Sequence, residues 1–229
     1  MENEILLTGG RITQGVVRIG ETVRRPQCAN AAFVHSVLVH LEKKNSGHAP
    51  RFLGVDEKNR EILTFLRGEV PGNLGDFSTE QCRRAAEIIR SLHDALSDFP
   101  GLPGGMTVCH NDLSPCNFVF RDGMPCAVID WDAASVGHPL DDLAYAVWMW
   151  LDIGNDENDP AAVRERMHAM LDAYGTTDRR SFAQRMLAQM SRVGSGVFPT
   201  EEQTLATRRW TQDCARWLGD FLKLYPDEF

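Results

Sequence analysis

The 229-residue chain contains no run of 18 apolar residues, so it writes no transmembrane helix. Its six cysteines (28, 82, 109, 116, 126 and 214) include no CxxC pair and no metal-ligand spacing. Most sit in apolar surroundings, so reduced thiols are expected rather than a disulfide framework. Met1-Glu2-Asn3-Glu4 is acidic and lacks the basic-then-apolar layout of a secretory leader, and with the thiols this predicts a cytoplasmic protein. Positive charge is also short: 24 Lys and Arg face 32 Asp and Glu, a net charge of −8, which argues against a nucleic-acid partner. No feature of the sequence reports on oligomeric state. Two gaps are local. No lysine precedes Lys43, and no Lys or Arg occurs between Arg121 and Arg164, where nine acidic residues fall. Most of those nine suit a solvated acidic surface, but their field would also attract a cationic molecule.

The first quarter of the chain reads as strands. Leu6-Leu7, Val16 to Ile19 and Thr22 to Arg24 are short β-favouring runs punctuated by Gly9, Gly10, Gly15 and Gly20. From Ala29 to Lys43, Phe33, Val34, Val37, Leu38 and Leu41 recur at helical spacing. Arg51 to Val55 and Glu61 to Leu66 form an antiparallel pair turning at Asp56 to Asn59. Residues 1–68 thus make a small α+β lobe, and the Gly- and Pro-rich stretch Gly68 to Asp76 marks the crossing into a second lobe, 69–229. Ser78 with Gln81 resembles a capped helix start, and the helix runs to about Leu96. Short strands follow at Met106 to Cys109, Phe118 to Phe120 and Ala127 to Ile129. Beyond Leu140 the pattern is helical, broken at Asp152 to Pro160, Gly175 to Asp178 and Gly194 to Thr200.

The chemistry concentrates in Val108-Cys109-His110-Asn111-Asp112-Leu113-Ser114-Pro115-Cys116-Asn117. This fits H-x-D-x-x-x-x-N, the catalytic-loop pattern of kinases, between a strand leading in and a strand leading out. The spacing has a chemical reason. A carboxylate, Asp112, orients an acceptor hydroxyl and takes its proton, while an amide five residues on, Asn117, reaches back to a metal on the phosphates. Thirteen residues later, Asp130 ends the strand Ala127-Val128-Ile129, where a carboxylate projects into the same cleft. Mg2+ is the expected ion, bridging these oxygens and a nucleotide.

With Gly137-His138-Pro139-Leu140-Asp141-Asp142-Leu143-Ala144 and the helix ending Leu92-His93, these segments resemble the aminoglycoside phosphotransferase and choline-kinase-like family. The resemblance runs in order over residues 5–150 and is most specific over 108–144. It implies a two-lobe α+β, protein-kinase-like fold, with a small antiparallel-sheet N-lobe and a mostly helical C-lobe. It also implies transfer of the γ-phosphate of ATP or GTP to a hydroxyl of a small molecule. Asp112 would be the base, Asn117 and Asp130 the metal ligands, Asp142 a brace for the catalytic loop, and His110 a hydrogen-bonding scaffold behind it.

The chain departs from the family in its first lobe. The family's third-strand lysine is absent, and the phosphate contact is expected from Arg24, with Arg25 second, because an arginine keeps the charge in a different shape. Where the following helix should supply a glutamate stand Val34, His35 and Ser36. Thr8 to Gly15 suits either a phosphate-covering loop or a plain hairpin turn. The base would meet the backbone at Phe65, Leu66 and Gly68. Candidate acceptor-binding residues are Trp131, Asp132, Trp148 and Asp152, since aromatic faces beside carboxylates suit a cationic amine. Trp148, one turn from Tyr145, suits a core position slightly better than a binding one. A non-catalytic nucleotide or metabolite sensor is the competing reading. A protein kinase is disfavoured, because the interval from Asp130 to Asp142 is too short for an activation segment.

Overall fold

A computed structural model describes residues 3–7, 15–179 and 181–228. Its first layer is a five-stranded antiparallel sheet in the order β1-β2-β3-β5-β4. The strands are β1 (Ile5–Leu6), β2 (Val17–Ile19), β3 (Thr22–Pro26), β4 (Phe52–Val55) and β5 (Arg60–Thr64). Of the expected loop from Thr8 to Gly15, all but Gly15 lies outside the described residues. Helix α1 (Ala31–Lys43) packs through Val34, Val37, Leu38 and Leu41, which recur every three or four residues and so share one face. The β4–β5 turn is closed by Asp56, whose Oδ1 accepts the backbone N–H groups of Lys58 and Arg60, both at 2.9 Å.

The chain leaves the sheet at Gly68, where φ is +150° and an added Cβ would lie 2.2 Å from the carbonyl oxygen of Phe120. Only glycine permits this approach. Glu69 then bridges Phe120 through two backbone hydrogen bonds, N–H to O at 2.9 Å and the reverse at 2.7 Å.

Helix α2 (Thr79–Leu96) opens with the expected capping box of Ser78 and Gln81 and buries Cys82, Ala85, Ala86, Ile88, Ile89, Leu92, His93 and Leu96. Two small ribbons follow. β6 (Thr107–Cys109) pairs with β9 (Ser135–Gly137), and β7 (Phe118–Arg121) pairs with β8 (Met124–Val128). The pairing of β9 is new relative to the sequence reading: three residues without alternation carry no strand signal, and the edge of β6 recruits them. Helices α3 (Pro139–Trp150), α4 (Pro160–Tyr174), α5 (Phe182–Gly194) and α6 (Glu201–Leu224) complete the chain, with breaks where the Gly- and Asp-rich stretches fall. Helix α4 lies on α2, α5 on α3, and α6 on α5. The core runs from α1 through α2 and the ribbons to α3 and on into α4, α5 and α6, with Trp148, Trp150 and Phe118 among its largest buried side chains. All six cysteines are free thiols. Among the described residues, no helix is long and apolar enough to cross a membrane.

Candidate active site

The site is built on the loop that leaves β6. Its backbone is held by Asp142, 1% exposed, in the first turn of α3. The two carboxylate oxygens accept the N–H groups of His110 at 2.7 Å and Asn111 at 2.8 Å, and Oδ2 also accepts His93 Nε2 at 3.1 Å. Asn111 adopts φ +64°, a left-handed conformation that Asn tolerates, and this turns both N–H groups toward one carboxylate. Burial alone would raise the pKa of Asp142, but the hydrogen bond and charge of His93, with His110, outweigh it and hold the group below the usual carboxylate range. The N-terminus of α3 favours the same anion.

His110 is 2% exposed. Its Nε2 donates to the Ile129 carbonyl at 3.0 Å, its Nδ1 accepts the Asp112 N–H at 3.3 Å, and its ring stands edge-on to Trp131. With both ring nitrogens engaged by backbone, it ties the loop to the end of β8.

Asp112 Oδ1 accepts the hydroxyls of Tyr145 at 2.9 Å and Ser114 at 3.3 Å. No described residue bonds its Oδ2. Burial, then the charge of Asp112, push the Tyr145 hydroxyl well above its ordinary range, so Tyr145 stays a donor. Asn117, 7% exposed, donates Nδ2 to the Asp112 carbonyl at 2.8 Å, which leaves its amide oxygen as the atom to offer outward. Ile129 N–H donates to the Asn117 carbonyl at 2.8 Å and brings the next residue, Asp130, alongside. Asp130 is left-handed, at φ 64° and ψ 62°, an uncommon conformation for a side chain larger than glycine.

The cleft's cation comes from β3, and it is Arg25 rather than Arg24. Successive strand residues face opposite ways. Arg25 faces inward: Nε donates to Glu61 Oε1 at 2.6 Å, Nη1 to Asp130 Oδ1 at 2.9 Å, and Nη2 to Asp132 Oδ1. Arg24 faces away, donating to Thr22 Oγ1 at 2.6 Å with its Nε 3.9 Å from Asp56. The sequence reading was therefore one residue out of register, because a five-residue strand with two adjacent arginines does not reveal which face is inner.

The segment just after β5 carries Phe65, whose ring lies under the Arg18 guanidinium at 3.9 Å and whose N–H donates to the Glu21 carbonyl at 2.9 Å. Leu66 is half-buried beside it, ahead of Gly68.

The acceptor candidates scatter. Trp131, 3% exposed, and Trp148, 1% exposed, are core side chains that donate Nε1 to the carbonyls of Val128 and Ile153, so neither indole face is open to a bound molecule. Asp132 is occupied by Arg25, and Asp152 accepts Asn155 Nδ2 at 3.0 Å in the turn after α3. An apolar ring at helical spacing beside Tyr145 is better explained by the core than by a binding wall. Tyr145 itself, the partner of Asp112, was legible: it lies three residues after Asp142, one turn along the same helix face. The Arg192 guanidinium sits 5.9 Å from the Tyr145 ring centroid, a placement with no sequence signal.

Residues 99–184 match the model of the phosphotransferase enzyme family. A trifolitoxin immunity protein from Rhizobium leguminosarum bv. trifolii is 32% identical over 203 residues, 79% of this chain and 77% of that protein. The chain belongs to the phosphotransferase enzyme family. Solved structures share the fold of this family member. A proposed aminoglycoside phosphotransferase from Ralstonia eutropha JMP134 superposes with a TM-score of 0.68 at 13% identity, covering 97% of this chain and 93% of that one. An amicoumacin kinase in complex with AMP-PNP and Ca2+ superposes with a TM-score of 0.64 at 7% identity, covering 93% and 88%. The family member is a kinase-like α+β phosphotransferase, as the catalytic-loop motif led us to expect.

Proposed function

We propose that the chain is a small-molecule kinase that moves the γ-phosphate of ATP or GTP to an alcohol. One observation carries the reading: Arg25, Asp130, Asn117 and Asp112 are joined by three hydrogen bonds and one peptide link, Arg25 to Asp130, the adjacent Ile129 N–H to Asn117, and Asn117 Nδ2 to the Asp112 carbonyl. Phosphate-binding, metal-binding and acceptor-orienting groups are thus mechanically coupled. Asp112 would take the acceptor proton on Oδ2, with Tyr145 and Ser114 fixing the carboxylate through Oδ1. Arg25 would grip the phosphates with its terminal nitrogens. Asn117 and Asp130 suit Mg2+: the Asn117 amide nitrogen is committed to Asp112, so both residues offer hard oxygens. Bound there, Mg2+ would neutralise charge on the phosphates. The remaining work is positioning. The base would lie along Phe65 to Gly68.

The acidic stretch between Arg121 and Arg164 supports a small cationic acceptor, such as an amino alcohol, a sugar amine or an aminoglycoside-like molecule. Arg192 beside Tyr145 acts against a cation close to Asp112. Kinship to an immunity protein favours a second, narrower reading, in which the acceptor is a toxin and its phosphorylation protects the host.

The test is an acceptor screen. Cationic, neutral and anionic alcohols, including toxin-class antibiotics, are offered with Mg2+ and each nucleotide while nucleoside diphosphate release is followed. We expect release that depends on both acceptor and metal. Tight nucleotide binding with no turnover on any acceptor would favour the sensor.

A further inference from the structure

The family places the carboxylate that steadies the phosphate-binding cation on the helix after the third strand, and the one carboxylate this chain has there, Glu42, sits in the last turn of α1 and pairs with Arg51. It has one elsewhere. Arg25 on β3 stands directly across from Glu61 on β5, so the two side chains leave the same sheet face as neighbours. Glu61 is 2% exposed and both its oxygens are engaged, Oε1 by Arg25 Nε at 2.6 Å and Oε2 by His35 Nε2 at 2.8 Å. His35 comes from α1, in the stretch where the glutamate was expected, and its ring stacks on Phe52 with centroids 3.7 Å apart. A carboxylate is costly to bury and is retained where its partners need it. Here the need is directional. Engaging Nε fixes the plane of the guanidinium, and the two terminal nitrogens are then presented together on the side of Asp130 and Asp132.

We propose that Glu61, steadied by His35, is the positioning group for Arg25. It holds the guanidinium so that both terminal nitrogens meet the nucleotide's phosphates. The anchor has moved from helix to strand, and the helix contributes a histidine that braces it. The proposal rests on the nucleotide-binding reading above and names the residues that make Arg25 competent for it.

The experiment is a binding titration, which needs no knowledge of the acceptor. AMP-PNP and its guanine counterpart, each with Mg2+, and the free nucleosides are titrated into wild type, Glu61→Gln, His35→Ala, Arg25→Met and the Glu61→Gln/Arg25→Met double variant, with melting temperatures read alongside. Glu61→Gln exchanges a charged partner for a neutral one of the same shape, and we expect the triphosphate analogue to bind about tenfold more weakly. His35→Ala should move the same way by less, and nucleoside affinity should not change. In the Arg25→Met background, Glu61→Gln should change triphosphate affinity less than twofold, because the side chain it acts through is gone. If Glu61→Gln fails to fold, Glu61→Asp, which keeps the charge but draws the carboxylate back from Arg25 by one methylene, is titrated in the same two backgrounds and should lose triphosphate affinity only where Arg25 is present. Unchanged triphosphate affinity, or equal loss for nucleoside and triphosphate, overturns the proposal. A wild-type chain that binds neither analogue overturns the nucleotide reading first and this proposal with it.

Discussion

The helical half and the sheet half of this molecule reach the same cleft by different routes. Asp112, Asn117, Asp130 and Asp142 all fall within one stretch of chain, where strand, tight loop and helix N-terminus set each side chain by local geometry. Arg25, Glu61 and His35 come from β3, β5 and α1 and meet only because the sheet pairs in one register. The first set is covalently constrained. The second is specified by cross-strand pairing, and a one-residue slip would turn Arg25 outward and Arg24 in. A family motif can therefore be kept in one half of a kinase-like fold while the other half rebuilds its ion pair from new residues.

The sharpest way to break the local half is Asp142→Asn. An amide offers one acceptor in place of two and turns N–H donors toward the N–H groups of His110 or Asn111, so we expect a loss of about 3–5 kcal/mol in denaturant unfolding. The wild type should show the same dependence on acid. The Asp142 carboxyl is held below its unfolded value, so its contribution is complete above about pH 4 and fades as the pH falls through the lower folded value. Asp142→Asn should flatten that limb of the stability profile. Flat acid behaviour in the wild type would count against the brace.

Asp112→Asn probes chemistry without disturbing the loop, because Oδ1 can still accept from Tyr145 and Ser114. Transfer should fall by about 100-fold or more, with nucleotide affinity and melting temperature near wild type. Wild-type turnover would remove Asp112 from its role.

The comparison is most finely divided at the adjacent arginines. Replacing Arg25 with methionine should weaken Mg2+-nucleotide binding by about 10- to 150-fold, the worth of a charge-assisted phosphate contact. Arg24→Ala should change it less than threefold, since its contacts are to Thr22 and Asp56. The reverse ranking would place the sheet register one residue away from that described.

What the sequence made legible follows the same division. Capping at Ser78, the helical stripe of α1, the catalytic loop and the Asp130 strand end were readable because each depends on residues a few positions apart. Glu61 was not, since its partner is 36 residues away and only the β3–β5 register joins them. Trp131 and Trp148 misled for a related reason: an aromatic beside acidic residues looks the same in sequence whether its face is open or packed, and these two are packed. The pairing of β9 with β6 left no trace in composition or alternation.

The left-handed backbone at Asp130 bears on the chain's history as much as on its chemistry. Holding that conformation with a side chain other than glycine costs roughly 1 kcal/mol. A lineage released from phosphate transfer would gain thermostability by drifting to glycine there, and would then bury or neutralise Arg25 by other means. On the metal-ligand reading proposed above, an aspartate in that position, with an arginine on its oxygen, would be stability given up for reactivity.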